Sequence, residues 1–399
     1  DPLWSRGLGD VYKRQTLMGS ATYNGAAGIV PSSLGNDILQ WEEQIQKEVG
    51  LDYGFWDDRI RGTLGYYQKK VDNLLYSDPV PTSSSFSSVY QNIGSLKNRG
   101  IEFDVRVDII KNAPKDLTWN VDFNIARNRT TLEKLNSSDG YFGGGAYDYF
   151  KIEEGGETGR FYGYKDAGRL FMTNEELVGL KTIDPKTGTL KYYRDDYNYE
   201  RQGDVYIMDL DGDGQITADG DRTVIGNANP DFFGGFGSTL YWKGLMLNAV
   251  FSYSVGGDRF WDEEKNSSGD MNVYNTSNRI LDSWTVNPGV NASYPRAMYY
   301  GWGSNSIITD RYIHDASYLR MTALNLSYRL PKHLYKNSIL NAVEFTFQAT
   351  NLFTWTKYPG MDPQGNFSTT YSAFYNMGID YSTYPSARTY NFGIKLTLK

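Results

Sequence analysis

The sequence predicts an all-β protein, an antiparallel sheet of about nine strands that forms an open, curved portion of a transmembrane β-barrel. Three observations carry this. Long runs alternate apolar and polar residues with a period of two, which puts one kind of side chain on each face of a strand. The connections between the runs alternate strictly between tight turns and long loops, an asymmetry characteristic of outer-membrane barrels. Tyr is abundant, at 33 residues against 19 Phe and 9 Trp, and suits surfaces that are oily at one end and wet at the other.

The strands read as follows. Val49, Leu51, Tyr53 and Phe55 alternate with Glu48, Gly50, Asp52 and Gly54, and Ile60, Leu64 and Tyr66 alternate with Arg61, Thr63, Gly65 and Tyr67. The run GIEFDVRVDII (100–110) opposes Ile101, Phe103, Val105, Val107 and Ile109 to Glu102, Asp104, Arg106 and Asp108. LTWNVDFNI follows with Leu117, Trp119, Val121, Phe123 and Ile125 on one face. The rhythm returns in FGSTLYW (236–242), LMLNAVFSYS (245–254), TALNLSYRL (322–330), VEFTFQAT (343–350) and TYNFGIKLTLK (389–399). Strands of about ten residues match a tilted bilayer crossing.

Tight turns lie at 56–58, 111–116, 243–244 and 331–338, and long loops at about 78–95, 131–232, 259–314 and 355–388. Loops beyond ~15 residues are uncommon in compact soluble domains. The apolar faces are therefore expected to meet lipid, and the polar faces a wet lumen. A soluble sandwich would instead bury Phe103, Val121 and Phe345.

Composition removes several functions. There is no Cys, so there is no disulfide framework, thiolate metal site or Cys nucleophile. A formal charge of -7 argues against a nucleic-acid partner. No run reaches the ~18 apolar residues of a membrane helix. His314 and His333 fall outside any metal-ligand spacing, there is no GxSxG, and GGGAY (143–147) lacks the strand–helix context of a phosphate loop. The protein is not expected to be an enzyme.

The sharpest motif is DLDGDGQITADGD (209–221). Asp209, Asp211 and Asp213 occupy positions 1, 3 and 5 of an EF-hand-like loop, Gly214 makes the turn, and Gln215 offers its backbone carbonyl. Position 12 is Gly220 rather than Glu, so Asp219 or Asp221 must substitute. Hard oxygen donors at this spacing suit a structural Ca²⁺ that pins a long loop; the competing reading is a solvated acidic turn. The loops also concentrate aromatics, Tyr147, Tyr149, Tyr192, Tyr193, Tyr197, Tyr299, Tyr300 and Trp302. These are candidates for stacking on sugar rings or binding peptide, or else they pack the loops.

Several stretches carry a resemblance: NIGSLKNRGIEFDV (92–105), GDVYIMDLDGDGQITADGDRTVIGNANPDFFGGF (203–236), SYLRMTALNLSYRLP (317–331) and NLFTWTKYPGMDP (351–363). In this order they resemble the C-terminal half of SusC/RagA-type TonB-dependent outer-membrane transporters, over roughly residues 16–399. The resemblance implies a roughly 22-stranded barrel with a plugged lumen in a Bacteroidota-type outer membrane. It implies import of oligosaccharides or peptides, with a SusD-like surface lipoprotein delivering ligand and TonB pulling on the plug.

On that resemblance the chain is expected to be a C-terminal piece of a longer protein, with the N-terminal plug absent. The opening DPLWSRGLGDVYKRQ (1–15) resembles tracts at broken ends of assembled reading frames, and is set aside as non-native. Nine strands leave two edges, expected at 45–55 and 389–399. The competing functions are a secreted all-β glycan-binding or glycan-degrading protein with a calcium loop, and a surface adhesin barrel.

Overall fold

The alternation builds one antiparallel sheet of nine strands. In the computed structural model these are β1 (Glu43–Phe55), β2 (Ile60–Asp72), β3 (Gly94–Ala113), β4 (Leu117–Leu135), β5 (Phe232–Trp242), β6 (Leu245–Val255), β7 (Tyr318–Arg329), β8 (Leu340–Thr356) and β9 (Thr389–Leu398). The structure describes residues 14–23, 25–80, 82–84, 86, 88–92, 94–113, 116–135, 141–143, 149–179, 182–183, 190–191, 200–269, 275–297, 305, 307–336, 339–365 and 377–398. Each strand pairs with its neighbour in sequence, and β1 and β9 are the two edges. The sheet is open, with its edges where the sequence places them.

Register sorts the side chains. One row crosses all nine strands as Phe55–Ile60–Val107–Val121–Ser238–Ala249–Leu324–Ala349–Tyr390. Within it, Ser238 Oγ accepts from Trp119 Nε1 at 3.0 Å. The opposite face carries Asp108–Asn120–Thr239–Asn248–Asn325–Gln348–Asn391 from β3 to β9. Asn248 Nδ2 donates to Thr239 Oγ1 at 2.9 Å, and Asn325 Nδ2 donates to Asn248 Oδ1 at 3.0 Å.

Among the described residues nothing covers the apolar face. Val49 is 73% exposed, Leu51 61%, Phe345 43% and Phe392 82%. Soluble monomers rarely expose apolar patches beyond a few hundred Å², and Phe345 is not interlocked in a sandwich. No helix among the described residues is long and apolar enough to cross a membrane, and none is needed where strands do so.

Turn chemistry fixes the tight end. Lys243 (φ 46°) and Gly244 (φ 85°) close β5–β6 with both residues at positive φ, the two-residue hairpin whose twist matches its strands. Trp56, Asp57 and Asp58 take φ of 54°, 53° and 57° between β1 and β2. At the other end β3 and β4 run to Gly94 and Leu135, well past the segments 100–110 and 117–125 read from alternation. The pattern stops at Ile101 and Ile125 because the outward residues beyond them turn basic, although the ladder continues.

A candidate functional site in the loop cap

The long loops fold together into a cap. Tyr149, Phe150, Phe161 and Ala228 from the β4–β5 loop pack with Phe260, Ile308 and Tyr312 from the β6–β7 loop and Ile379 from the β8–β9 loop. A second core joins Leu170, Phe171, Val205, Ile207 and Ile216, with Trp284 and Ile307 against it. Short strands stitch the pieces: Arg160–Tyr164 pairs with Arg222–Asn227, and Asp258–Trp261 runs parallel to Ile379–Asp380.

Buried ion pairs tie the loops to one another and to the sheet. Arg296 Nη2 donates to Asp204 Oδ2 at 3.1 Å, and Asn305 Nδ2 to Asp204 Oδ1 at 2.8 Å. Burial pushes the Asp204 carboxyl above its ordinary value, against the pull of Arg296. Arg320 of β7 donates to Asp362 Oδ1 at 2.6 Å, with both side chains under a tenth exposed. Burial raises Asp362, but Arg320 and the N–H groups of Gln364 and Ser386 outweigh it and hold the carboxyl below its usual value. His314 lies 2.5 Å from the buried Glu264, which also receives Arg279 (3.1 Å) and the Tyr294 hydroxyl (3.2 Å). His314 is thus placed in a cap network.

The acidic loop leaves the second core directly after Ile207. Asp209 accepts from Gly212 N (2.7 Å) and Gly214 N (2.8 Å), and both glycines take positive φ (76° and 85°). Asp211 accepts from Asp213 N at 3.1 Å, and Asp213 from Gln215 N at 2.7 Å. Thr217 caps the short helix Ala218–Asp221, its Oγ1 accepting from Gly220 N at 2.9 Å. That turn swings Asp221 back under the loop, where it is fully buried and accepts from Leu210 N and Thr217 N, both at 2.7 Å.

Ligand oxygens of Asp209, Asp211 and Asp221 lie within 4.8 Å of one another. Asp213 and Asp219 stay outside that group, and Gln215 is engaged through its N–H. Of the two residues that could replace a position-12 Glu, Asp221 comes to the centre. Gly220 is tight against Asp211, so a side chain there would run into that carboxylate. Each oxygen of Asp209 and Asp221 takes one N–H and retains a lone pair, which is donor chemistry suited to a hard cation.

Among the expected aromatics, Tyr149 is 4% exposed. Its ring meets Phe260 edge-on at 4.8 Å, and its hydroxyl donates to Asp262 Oδ1 at 2.8 Å. It packs the cap, and no face of the ring is left for a solute. Tyr147, Tyr192, Tyr193, Tyr197, Tyr299, Tyr300 and Trp302 lie outside the described residues. The long-range pairs Asp204–Arg296 and Arg320–Asp362 were missed by sequence reasoning, because the partners stand far apart in the chain and share no motif.

Comparison with known proteins adds to the geometry. The family described as TonB dependent receptor-like, beta-barrel matches residues 5–297. The chain is 33% identical over 384 residues to TonB-dependent receptor P3 of Formosa agariphila, covering 92% of this chain and 35% of that protein. It is 28% identical over 366 residues to TonB-dependent receptor SusC of Bacteroides thetaiotaomicron, covering 90% and 32%. The solved RagAB peptide transporter superposes with a TM-score of 0.70 at 26% identity, covering 96% of this chain and 38% of that one. The chain thus spans about a third of the length of these relatives.

Proposed function

The chain belongs to the TonB-dependent receptor-like β-barrel family, and from that premise we propose that it forms part of the wall and loop cap of an outer-membrane importer. The supporting observation is the nine-strand sheet itself, uncovered and apolar on one face, hydrogen-bonding on the other, and unpaired at both edges. Edge groups in hydrocarbon cost several kcal/mol each, so the remaining strands of a longer barrel would satisfy β1 and β9. Transport itself would depend on a plug, on TonB and on a SusD-like lipoprotein docking at the loops.

The solute we favour is an oligosaccharide. Its support is the uncharged row Thr239–Asn248–Asn325–Gln348–Asn391 on the wet face, whose amides and hydroxyl can exchange hydrogen bonds with sugar hydroxyls. A peptide, the cargo named for the RagAB relative, is the other reading. Uptake of labelled oligosaccharides and peptides by cells expressing or lacking the full-length protein would separate them. Dependence of peptide uptake alone on the protein would overturn the sugar reading. A protein that stays soluble without detergent would overturn the importer.

The acidic loop is proposed to hold a structural Ca²⁺ through Asp209, Asp211 and Asp221. The cation would neutralise three converging carboxylates and tie the β4–β5 loop beneath the second cap core. Calorimetric titration should show binding that is lost in Asp209→Asn/Asp211→Asn. No heat at millimolar Ca²⁺ would count against the site.

A further inference from the structure

The outward face changes chemistry at one level near the loop end. Across β1–β4 the rungs read Leu51–Leu64–Phe103–Ile125, then Val49–Tyr66–Ile101–Arg127, then Lys47–Gln68–Arg99–Arg129, then Ile45–Lys70–Lys97–Thr131. Each rung lies about 7 Å along the strands from the next. Apolar side chains thus give way to cations within about two rungs, on the face argued above to meet lipid. A groove of about 370 Å³ sits at this boundary. Ile101, Phe103, Ile125 and Phe232 form its floor, and Arg127 and Asp231 its rim.

The cations at the rim are not equivalent. Lys70 pairs with Asp72 (3.0 Å) and Glu133 (3.6 Å), and Lys97 with Glu133 (3.0 Å). Arg129 neutralises the rim carboxylate Asp231 at 3.0 Å and lies 3.5 Å from Glu157. The side chains of Lys47, Arg99 and Arg127 are exposed and make no ion pair or hydrogen bond among the described residues. Arg99 and Arg127 are diagonal neighbours across the β3–β4 ladder, close enough to share one anion.

We infer that this groove binds a phosphorylated, acylated glycolipid of the outer leaflet. An acyl chain lies over Phe103 and Ile125, and a head-group phosphate bridges Arg99 and Arg127. Guanidinium suits phosphate because its fork donates two parallel hydrogen bonds, and at the edge of hydrocarbon the pair is shielded from bulk water. The occupant must be oily at one end and anionic at the other, which a soluble acidic protein is not. The inference rests on the reading that the sheet's apolar face lies in a bilayer.

The test uses the full-length transporter in phosphatidylcholine nanodiscs doped with lipid A, with dephosphorylated lipid A, or with phosphatidylglycerol. Retained lipid is counted by native mass spectrometry for the wild type and for Arg99→Gln/Arg127→Gln. Arg106→Gln/Lys69→Gln, which removes the same charge from the wet face, is the control. Heat-modifiable gel mobility reports that each variant is folded.

Removing two cations near the membrane surface should lower retained lipid A about tenfold or more, with the control unchanged and the dephosphorylated lipid not retained by any form. Equal retention by the double variant, or of the dephosphorylated lipid, overturns the site. Preferential retention of phosphatidylglycerol overturns the glycolipid assignment. A wild-type protein that never enters a nanodisc sinks the bilayer reading instead.

Discussion

The sheet and the cap obey opposite rules with the same residue types. In the cap, Phe161, Phe171 and Phe260 are fully buried, and cations such as Lys265 are covered with them. In the sheet, Phe345, Phe353 and Phe392 face outward and exposed, while Asn and Thr line the other side. The cap is organised as a water-soluble protein is, with its oil inside. The sheet has no inside, so its apolar side chains take their environment from the surroundings. The solvent each part expects can be read from which residues it leaves uncovered.

The strongest test of this contrast is to delete a buried group in the cap and a matching group on the sheet. Arg320→Met strands Asp362 in a dry site, and losing one partner of a buried pair costs about 3–5 kcal/mol. Phe161→Ala should cost a similar amount by leaving a cavity among Phe150, Phe260 and Ala228. Phe123→Ala on the sheet removes a side chain that packs only along its face. Hydrogen exchange in the cap should rise sharply for the first two variants and stay unchanged for the third. A large cap response to Phe123→Ala would break the distinction.

The second test reverses the chemistry. Phe123 lies on the outward face of β4, within its apolar stretch and two rungs from Arg127, opposite Phe236 and Val105. Phe123→Arg should destabilise the barrel by about 1–2 kcal/mol, between the cost of a cation at the bilayer midplane and that at the interface. An inward change one residue away, Asp122→Asn, should cost little. Refolding titrations into lipid vesicles would measure both, and equal costs would mean that neither face is in hydrocarbon.

Much of the sheet was legible because its period is two and its apolar face is continuous. The edges, the tight turns and the side-chain faces all follow from runs such as GIEFDVRVDII. The ends of β3 and β4 were not legible, since Arg99 and Arg127 break the apolar alternation without breaking the ladder. The cap was hardly legible at all. Its strands are short, as in Arg160–Tyr164, and its cores gather residues from three separate loops. The acidic loop lies between these cases. Its donors were visible as a motif, but the choice of Asp221 over Asp219 depends on the Thr217 cap and the turn it starts.

That cap gives a third, smaller effect. Thr217→Ala removes the acceptor for Gly220 N and should cost about 1 kcal/mol, typical of an N-cap loss. The proposed Ca²⁺ site sharpens the prediction, because the same turn carries Asp221. Calcium affinity should fall in Thr217→Ala and be largely kept in Thr217→Ser, which retains the hydroxyl. Unchanged affinity in Thr217→Ala would separate the cap from the site.

The smallest expected effect is a pH response confined to the cap. Asp362 titrates below its ordinary value in the folded protein, because Arg320 and two backbone N–H groups outweigh the cost of burial. A carboxyl with a lowered folded-state value contributes stability that is fully present above its unfolded value near pH 4. That contribution is lost as pH falls through the lowered value. Acidification should therefore loosen the loop that Asp362 ties to β7, and restoring the pH should tighten it again. Asp204 acts with the opposite sign, since burial raises it and protonation removes the charge that burial penalises. Asp362→Asn should abolish the acid response of the 357–365 segment in hydrogen exchange and leave the segment around Asp204 as it was. A response that persists in Asp362→Asn would assign the effect to another carboxylate and remove the Arg320 pair as its origin.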